Sequence, residues 1–209
     1  MEQSHPGSRV LDTVPESSFR IYQGTSNWDG VCASGNKQSP INFVPEETVA
    51  VYRRVLRFNG AQQIPHSTNI TNSGHSIKIK LRTQKPITVT GGVFGNKVYE
   101  FQQLHFHWGR NVNEGSEHTT NSKRYPLEAH LVFYKADAKD PTTAPDGMAV
   151  LGVQYDVSVV DTDKFISFMN RPTSRLRGFF HSGLHNFDCF KYIYFSFFYK
   201  RAIHTSCAE

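Results

Sequence analysis

The chain has 209 residues, of which 38% are hydrophobic and 13% aromatic, enough to build one sizeable core and most simply one domain. Its formal net charge of +5 arises from basic and acidic residues that are interspersed, which argues against nucleic-acid binding. The most apolar run, residues 190–199, contains Lys191 and is far shorter than the ~20 residues of a membrane-spanning helix.

The N-terminal segment, residues 1–18, is polar and contains no apolar run of the signal-peptide type. As written it therefore predicts a flexible segment without an export signal, and the default compartment is the cytoplasm. Cys32, Cys189 and Cys207 are unevenly spaced. They argue against a structural zinc cluster and allow at most one disulfide within the chain.

Residues 43–155 alternate apolar and polar side chains in the manner of β-strands, with Gly-, Asn- and Pro-rich turns between them. This pattern predicts a mostly β protein: a single domain with a large, mainly antiparallel, twisted central sheet and few short helices. The best helical candidate is Asp161–Met169. The predicted strands cover residues 77–81, 86–90, 98–108, 126–134 and 148–155.

Within the strand predicted at residues 98–108, Gln103, His105 and His107 lie on one face and apolar residues lie on the other. The two histidines are roughly 6.5 to 7 Å apart along the strand, so both rings can bind one metal ion. A chain with ten histidines can also contain one His-x-His pair that binds nothing. The pair alone therefore leaves both interpretations open.

The strand predicted at residues 126–134 places Glu128 and His130 on one face, against an apolar opposite face. A third imidazole from an adjacent strand completes a three-histidine set that leaves zinc one open coordination position, as in catalytic sites. Gln103 and Glu128 each precede a histidine by two residues on the same face. They are suited to accept the second ring N–H of a metal-binding histidine.

Aromatic residues crowd the chain from about residue 171 onward, with little regular alternation. One interpretation is an aromatic edge strand around residues 191–199. The other, which the shift in composition favours, is a tail foreign to the domain, from an alternative exon or a premature end. We therefore divide the chain into a flexible segment at 1–18, an incomplete domain at 19–157 and a divergent segment at 158–209.

Six ordered motifs give the chain a family resemblance. From about residue 19 to residue 155 it resembles the α-class carbonic anhydrases. The matching segments are Gln-Ser-Pro-Ile-Asn at 38–42, Asn-Ser-Gly-His-Ser at 72–76, residues 103–109, Gly-Ser-Glu-His-Thr at 115–119, Glu-Ala-His-Leu-Val at 128–132 and Met-Ala-Val-Leu-Gly at 148–152.

The resemblance implies zinc-dependent, reversible hydration of carbon dioxide to bicarbonate, with these small molecules as partners and protein partners unknown. It implies that His105, His107 and His130 hold the zinc ion, with Gln103 and Glu128 as their hydrogen-bond partners. Zinc held by three neutral ligands lowers the pKa of bound water to about 7, the value known for carbonic anhydrase, and so supplies hydroxide at neutral pH.

Further roles follow from the same resemblance. His75 would be the proton shuttle, although the residue by itself is typical of a surface turn. Glu117 would orient the reactive hydroxide indirectly, and Val132 and Val150 would line the apolar pocket for carbon dioxide. His118 resembles a buried structural histidine of the family, not a ligand.

The sequence departs from the family after residue 157. It contains no Thr-Thr-Pro-Pro segment there, and residues 142–145, Thr-Thr-Ala-Pro, precede the strand at 148–155 where the family segment follows it. We therefore expect zinc binding to persist and hydration activity to be weak or absent. We also expect an unprotected sheet edge and a partly exposed core, and hence low stability or aggregation, typical of a truncated isoform.

Two other functions stay open at this point. One is a catalytically silent carbonic anhydrase-related binding protein, although such relatives usually lose a zinc histidine. The other is a cupin-like iron protein, for which Asn111 and Val112 stand where a glutamate is needed and Glu114 comes late. Cys32 resembles the first disulfide cysteine of secreted members and so suggests an extracellular location, which stays open beside the cytoplasmic default.

Overall fold

The computed structural model describes residues 39–49, 54–72, 76–109, 111–157 and, for the course of the strand alone, 190–198. These residues form ten strands and two single-turn 3-10 helices, at Pro45–Glu47 and Gly92–Phe94, which confirms the mostly β prediction. The strands are β1 (Asn42–Phe43), β2 (Arg57–Asn59), β3 (Ser67–Asn72), β4 (Ile77–Arg82), β5 (Thr88–Thr90), β6 (Tyr99–Trp108), β7 (Thr119–Thr120), β8 (Leu127–Lys135), β9 (Met148–Val157) and β10 (Phe190–Phe198).

Eight of these strands form one antiparallel sheet in the order β10-β9-β8-β6-β4-β3, with β5 pairing to both β6 and β2. The short strands β1 and β7 form a separate parallel pair. The long central strands agree with the sequence prediction to within two residues at each end. β3 was not predicted, because its Ser-Thr-Asn-Ile-Thr-Asn sequence has no apolar alternation.

The core lies against the apolar face of the central strands. Phe106 and Leu127 are fully buried there, on β6 and β8, and Leu104 and Trp108 pack partly buried around them. A second cluster forms around Phe133 near the other end of β8. The alternation in β6 therefore buries one face and leaves the opposite, histidine-bearing face for the site.

Phe106→Ala should destabilise the protein by about 3–5 kcal/mol, because the ring is fully buried and its removal leaves a cavity directly behind the histidine face. Urea unfolding of the zinc-free protein would measure the loss. Phe58→Ala is the control, since Phe58 on β2 is 44% exposed and should cost far less. Equal losses for the two variants would contradict this account of the core.

The C-terminal strand β10 pairs with β9 along its length, from Phe190 opposite Val157 to Phe198 opposite Val150, with an irregularity between Tyr192 and Tyr194. This pairing is the one that the edge-strand interpretation predicts, and the origin of the tail stays a prediction. The expectation of an unprotected edge is wrong at β9, because the backbone groups on that side of β9 pair with β10. The opposite end of the sheet is β3.

The helix predicted at Asp161–Met169 lies outside the described residues. In the described parts of the chain, no helix has the length and apolar character required to span a bilayer.

Candidate metal centre

The pairing of β6 with β8 positions the candidate ligands. His105 lies directly opposite His130, His107 opposite Glu128, and Gln103 opposite Val132. Because directly opposite residues of an antiparallel pair project to the same face, all of these side chains share one face of the sheet. The sequence assigned the polar faces of the two strands correctly, and the register brings the faces together.

The three imidazole rings converge. One nitrogen atom of each ring lies within 4.8 Å of a nitrogen of the other two. The Nε2 atoms of His105 and His107 are 3.0 Å apart, and the three pairs of ring centroids are separated by 4.5–5.1 Å. His105 and His130 are buried, whereas the side chain of His107 keeps 20% of its surface exposed. The site is therefore reached from solvent on the His107 side.

Hydrogen bonds orient two of the rings. The Nδ1–H of His105 donates to Gln103 Oε1 at 2.9 Å, and the Nε2–H of His130 donates to Glu128 Oε1 at 2.6 Å. Since a neutral imidazole carries one proton, these bonds leave lone pairs on His105 Nε2 and His130 Nδ1. Gln103 and Glu128, which sequence analysis selected, thus lie in contact with the rings.

His118 forms a second group of possible donors with Glu128 and His130. The backbone N–H of Ile41 donates to His118 Nδ1 at 3.0 Å, so the ring proton of neutral His118 is on Nε2, which faces Glu128 Oε1 at 3.8 Å. Glu128 also accepts the backbone N–H of His118 at 3.1 Å. We therefore interpret this buried group as a hydrogen-bond network, in keeping with the structural role expected for His118.

Glu117 lies in the connection between β6 and β7, with its side chain 11% exposed. Its Oε1 is 3.5 Å from Nδ1 of His107 and its Oε2 is 3.8 Å from Nδ1 of His130. The sequence resemblance placed Glu117 at the site, and the structure places its carboxylate beside two of the candidate ligands.

The remaining site residues divide by location. Val132 and Val150 are opposite each other on β8 and β9, on the histidine face, with Val132 buried and Val150 half-buried. His75 and Cys32 lie outside the described residues. The structure therefore supports an apolar wall beside the rings and leaves the proton shuttle and the cysteine as predictions.

Sequence analysis missed Lys78. It lies on β4 directly opposite His105, half-buried, and its charge contributes to the lowered pKa of that histidine. The signal was present in the sequence, because Ile77 and Ile79 flank Lys78 as core residues and alternation assigns Lys78 to the histidine face.

His105 and His107 resist protonation. Burial, the neighbouring His130 and the Lys78 charge lower the pKa of His105 from 6.5 to about 3. Burial, followed by His130, lowers the pKa of His107 well below 6.5. For Glu128, burial acts to raise the pKa, but the contacts with His130 and His118 outweigh it and the pKa is lowered. Neutral rings beside a carboxylate are the protonation states that a divalent metal needs.

The zinc-free protein should lose stability as the pH falls below about 6.5. In the unfolded chain His105 and His107 take up protons near pH 6.5, whereas the folded protein keeps them neutral. The unfolded state therefore binds more protons. His105 costs up to about 1.4 kcal/mol per pH unit between pH 6.5 and pH 3, and His107 acts in the same direction. Glu128, with its lowered pKa, acts in the same direction below about 4.5.

Urea midpoints at pH 7.5 and 5.5 would measure this dependence. A His105→Gln variant has no titrating group at that position and should show a shallower slope. Identical midpoints at the two pH values for the wild-type chain would contradict the lowered pKa values.

The donor set fits zinc. The Nε2 atoms of His105 and His107 are 3.0 Å apart, close to the separation of about 3.3 Å between ligands of a tetrahedral zinc ion with bonds of 2.0–2.1 Å. Three neutral imidazoles with two carboxylates, Glu117 and Glu128, close by also suit a divalent charge. The fold and the site together define a mostly β protein in which three converging histidines could hold a metal ion.

Comparison with known proteins agrees with this class. The sequence profile of the eukaryotic-type carbonic anhydrases matches residues 23–180. Carbonic anhydrase 7 of Mus musculus is 37% identical over 160 residues, which are 73% of this chain and 58% of that protein. The putative carbonic anhydrase 3 of Caenorhabditis elegans is 37% identical over 62% of this chain and 49% of its own length.

Carbonic anhydrase 6 of Homo sapiens is 36% identical over 59% of this chain and 41% of its own length. The chain thus spans between about two-fifths and three-fifths of these relatives. Because the profile covers most of the chain, the protein belongs to the eukaryotic-type carbonic anhydrase family. The family hydrates carbon dioxide and depends on zinc in general, and some of its members are inactive.

Proposed function

We propose that this protein catalyses the reversible hydration of carbon dioxide to bicarbonate, with zinc held by His105, His107 and His130. The observation that carries the proposal is the convergence of three imidazole rings from neighbouring strands, with one nitrogen of each within 4.8 Å of the others. A three-histidine set leaves zinc an open position for water, which distinguishes catalytic from structural sites.

The bound ion would supply a reactive oxygen nucleophile at neutral pH, because it lowers the pKa of water to about 7, as is known for carbonic anhydrase. Gln103 and Glu128 hold His105 and His130 in the tautomers that present their lone pairs to the site. Fixed tautomers and ring orientations raise metal affinity because little reorganisation is needed on binding.

The apolar wall formed by Val132 and Val150 would bind the substrate. Val132 lies two residues after His130 on β8, on the histidine face, and Val150 lies opposite Val132 on β9. Carbon dioxide carries no charge and needs no strong hydrogen bond, so an apolar surface can hold it beside the site without a desolvation cost. His75 would take the proton released from water on a ring nitrogen and pass it to buffer, since its ordinary pKa of ~6.5 suits both steps.

The family profile matches as far as residue 180, past the boundary at residue 157 that the sequence suggested. We nevertheless propose a hydration rate below that of a longer relative such as carbonic anhydrase 7, because one pocket segment is absent. The Thr-Thr-Pro-Pro segment that completes the family's pocket is not found in residues 158–209. The silent binding protein is not favoured, because all three histidines are present and converge.

The test combines metal content by elemental analysis with stopped-flow hydration rates on the same sample. We expect one zinc ion per chain and a hydration rate above background but below that of carbonic anhydrase 7 measured in parallel. Zinc at one per chain without turnover would refute the enzyme and keep the metal site. A chain that takes up no zinc would refute both.

A further inference from the structure

An oxygen atom lies beside the outward nitrogen of each of the three rings. For His105 and His130 it belongs to Gln103 and Glu128, each two residues earlier on the same strand. For His107 the same rule fails, because the residue two positions earlier is His105 itself. A hydrogen-bond partner for Nδ1 of His107 must therefore come from another part of the chain.

The residue opposite His107 on β8 cannot serve. That residue is Glu128, whose Oε1 accepts the Nε2–H of His130 at 2.6 Å and whose Oε2 accepts the backbone N–H of His118 at 3.1 Å. The oxygen recorded beside Nδ1 of His107 is Oε1 of Glu117, at 3.5 Å. A loop residue thus occupies the position that strand residues occupy for the other two rings.

We propose that Glu117 is the positioning residue of His107: its carboxylate accepts the Nδ1–H and keeps the Nε2 lone pair directed toward Nε2 of His105. The proposal rests on the proposed function, in which His107 is a zinc ligand, and differs from the role that the family resemblance implies for Glu117. The 3.5 Å separation is longer than the 2.7–2.9 Å of a strong charge-assisted hydrogen bond. A metal ion on Nε2 would make the Nδ1–H more acidic and so would strengthen its hydrogen bond to the Glu117 carboxylate.

Zinc affinity of the full chain, measured by competition with a chelator, tests the proposal. Glu117→Ala should weaken zinc binding 10–100-fold, as expected for loss of an oxygen that orients a ligand ring. Glu117→Gln should weaken it less, because the amide oxygen still accepts the N–H. Glu114→Gln is the matched control: this exposed glutamate lies three residues away on the same connection and should leave the affinity unchanged.

Nitrogen-15 NMR measures the tautomer of the His107 ring, which a general loss of stability would not change. The zinc-free wild type should show the Nδ1–H tautomer, and Glu117→Ala should show a mixture of tautomers. A wild type that binds no zinc would refute the proposed function, while its His107 tautomer would still test the contact with Glu117. Unchanged tautomer and zinc affinity in Glu117→Ala would overturn the inference and leave the proposed function intact.

A separate observation concerns the outer strand β3. Asn69-Ile70-Thr71 is an Asn-x-Thr acceptor sequence for N-linked glycans, and all three residues are exposed. Asn69 and Thr71 project from the same face of the strand, and the Thr71 hydroxyl donates to Asn69 Oδ1 at 2.8 Å. β3 pairs on one side only, with β4, in the described sheet.

We infer that Asn69 is an N-glycosylation site for this chain in the secretory pathway. The Asn69 amide nitrogen would form the bond to C1 of the sugar on a lipid-diphosphate-linked oligosaccharide, with loss of an amide proton and departure of the lipid diphosphate. A bulky, hydrated glycan at this position would also hinder edge-to-edge association of the sheet.

The test is expression of the full chain behind a secretory leader in eukaryotic cells, with mass measured before and after peptide N-glycosidase. We expect a glycan on the wild type and on Thr71→Ser. It should be lost in Asn69→Gln and Thr71→Ala and retained in Asn59→Gln, an exposed asparagine on β2 outside any acceptor sequence. An unmodified wild type, or a glycan that persists in Asn69→Gln, would overturn the assignment.

Discussion

His107→Ala is expected to abolish both zinc binding and hydration. Loss of one of three nitrogen donors leaves two, so zinc affinity should fall by more than the 10–100-fold that loss of an orienting partner costs. His107 is the best position for the test, because its side chain is the most exposed of the three and its removal disturbs the core least. Elemental analysis and stopped-flow rates would measure the two effects.

The matched control is His66→Ala. His66 is exposed and precedes β3, and it is not one of the three histidines of the site. It should retain one zinc ion per chain and the wild-type rate. If His107→Ala kept full zinc content after exhaustive dialysis against a chelator, the three-histidine site would not be the zinc site.

Glu128→Ala should cause a large loss of stability. Glu128 is fully buried and bonds to the His130 ring and to the backbone N–H of His118. Removal of one member of such a buried group leaves polar partners unsatisfied and costs about 3–5 kcal/mol. In a chain of this size that corresponds to a decrease of about 6–20 °C in melting temperature.

Glu128→Gln separates stability from metal binding. The amide still offers an oxygen to one neighbour but loses the charge, so we expect a smaller loss of stability and a 10–100-fold weaker zinc affinity. Glu100→Ala is the control, since Glu100 is a half-buried strand residue away from the histidine rings and should cost about 1 kcal/mol or less. A Glu128→Ala protein as stable as Glu100→Ala would show that the buried network contributes little.

The sequence predicted the central strands because their two faces differ. Around their histidines, β6 and β8 each place apolar residues on one face and polar residues on the other, so the period of two is visible in the residues alone. β3 shows no such contrast, since its residues Ser67–Thr71 are exposed, and so it was missed. β10 was ambiguous for a different reason, because six of its nine residues are aromatic.

The site residues differ in the same way: strand alternation predicts some of them and not others. Gln103 and Glu128 were predicted because a partner two residues before a histidine on a strand must share its face. The contact between Glu117 and His107 could not be predicted in this way, because Glu117 lies in a connection whose path depends on the rest of the fold. The family resemblance alone pointed to Glu117.

By itself, the sequence determined the central strands, the faces on which His105, His107 and His130 lie, and the family. These depend on local alternation and on motifs, which a chain carries whether or not it is folded. Only the tertiary structure decided that His105 stands opposite His130, that Lys78 stands opposite His105 and that β10 covers β9. Strand register and pairing depend on contacts between residues far apart in the chain, and no local pattern specifies them.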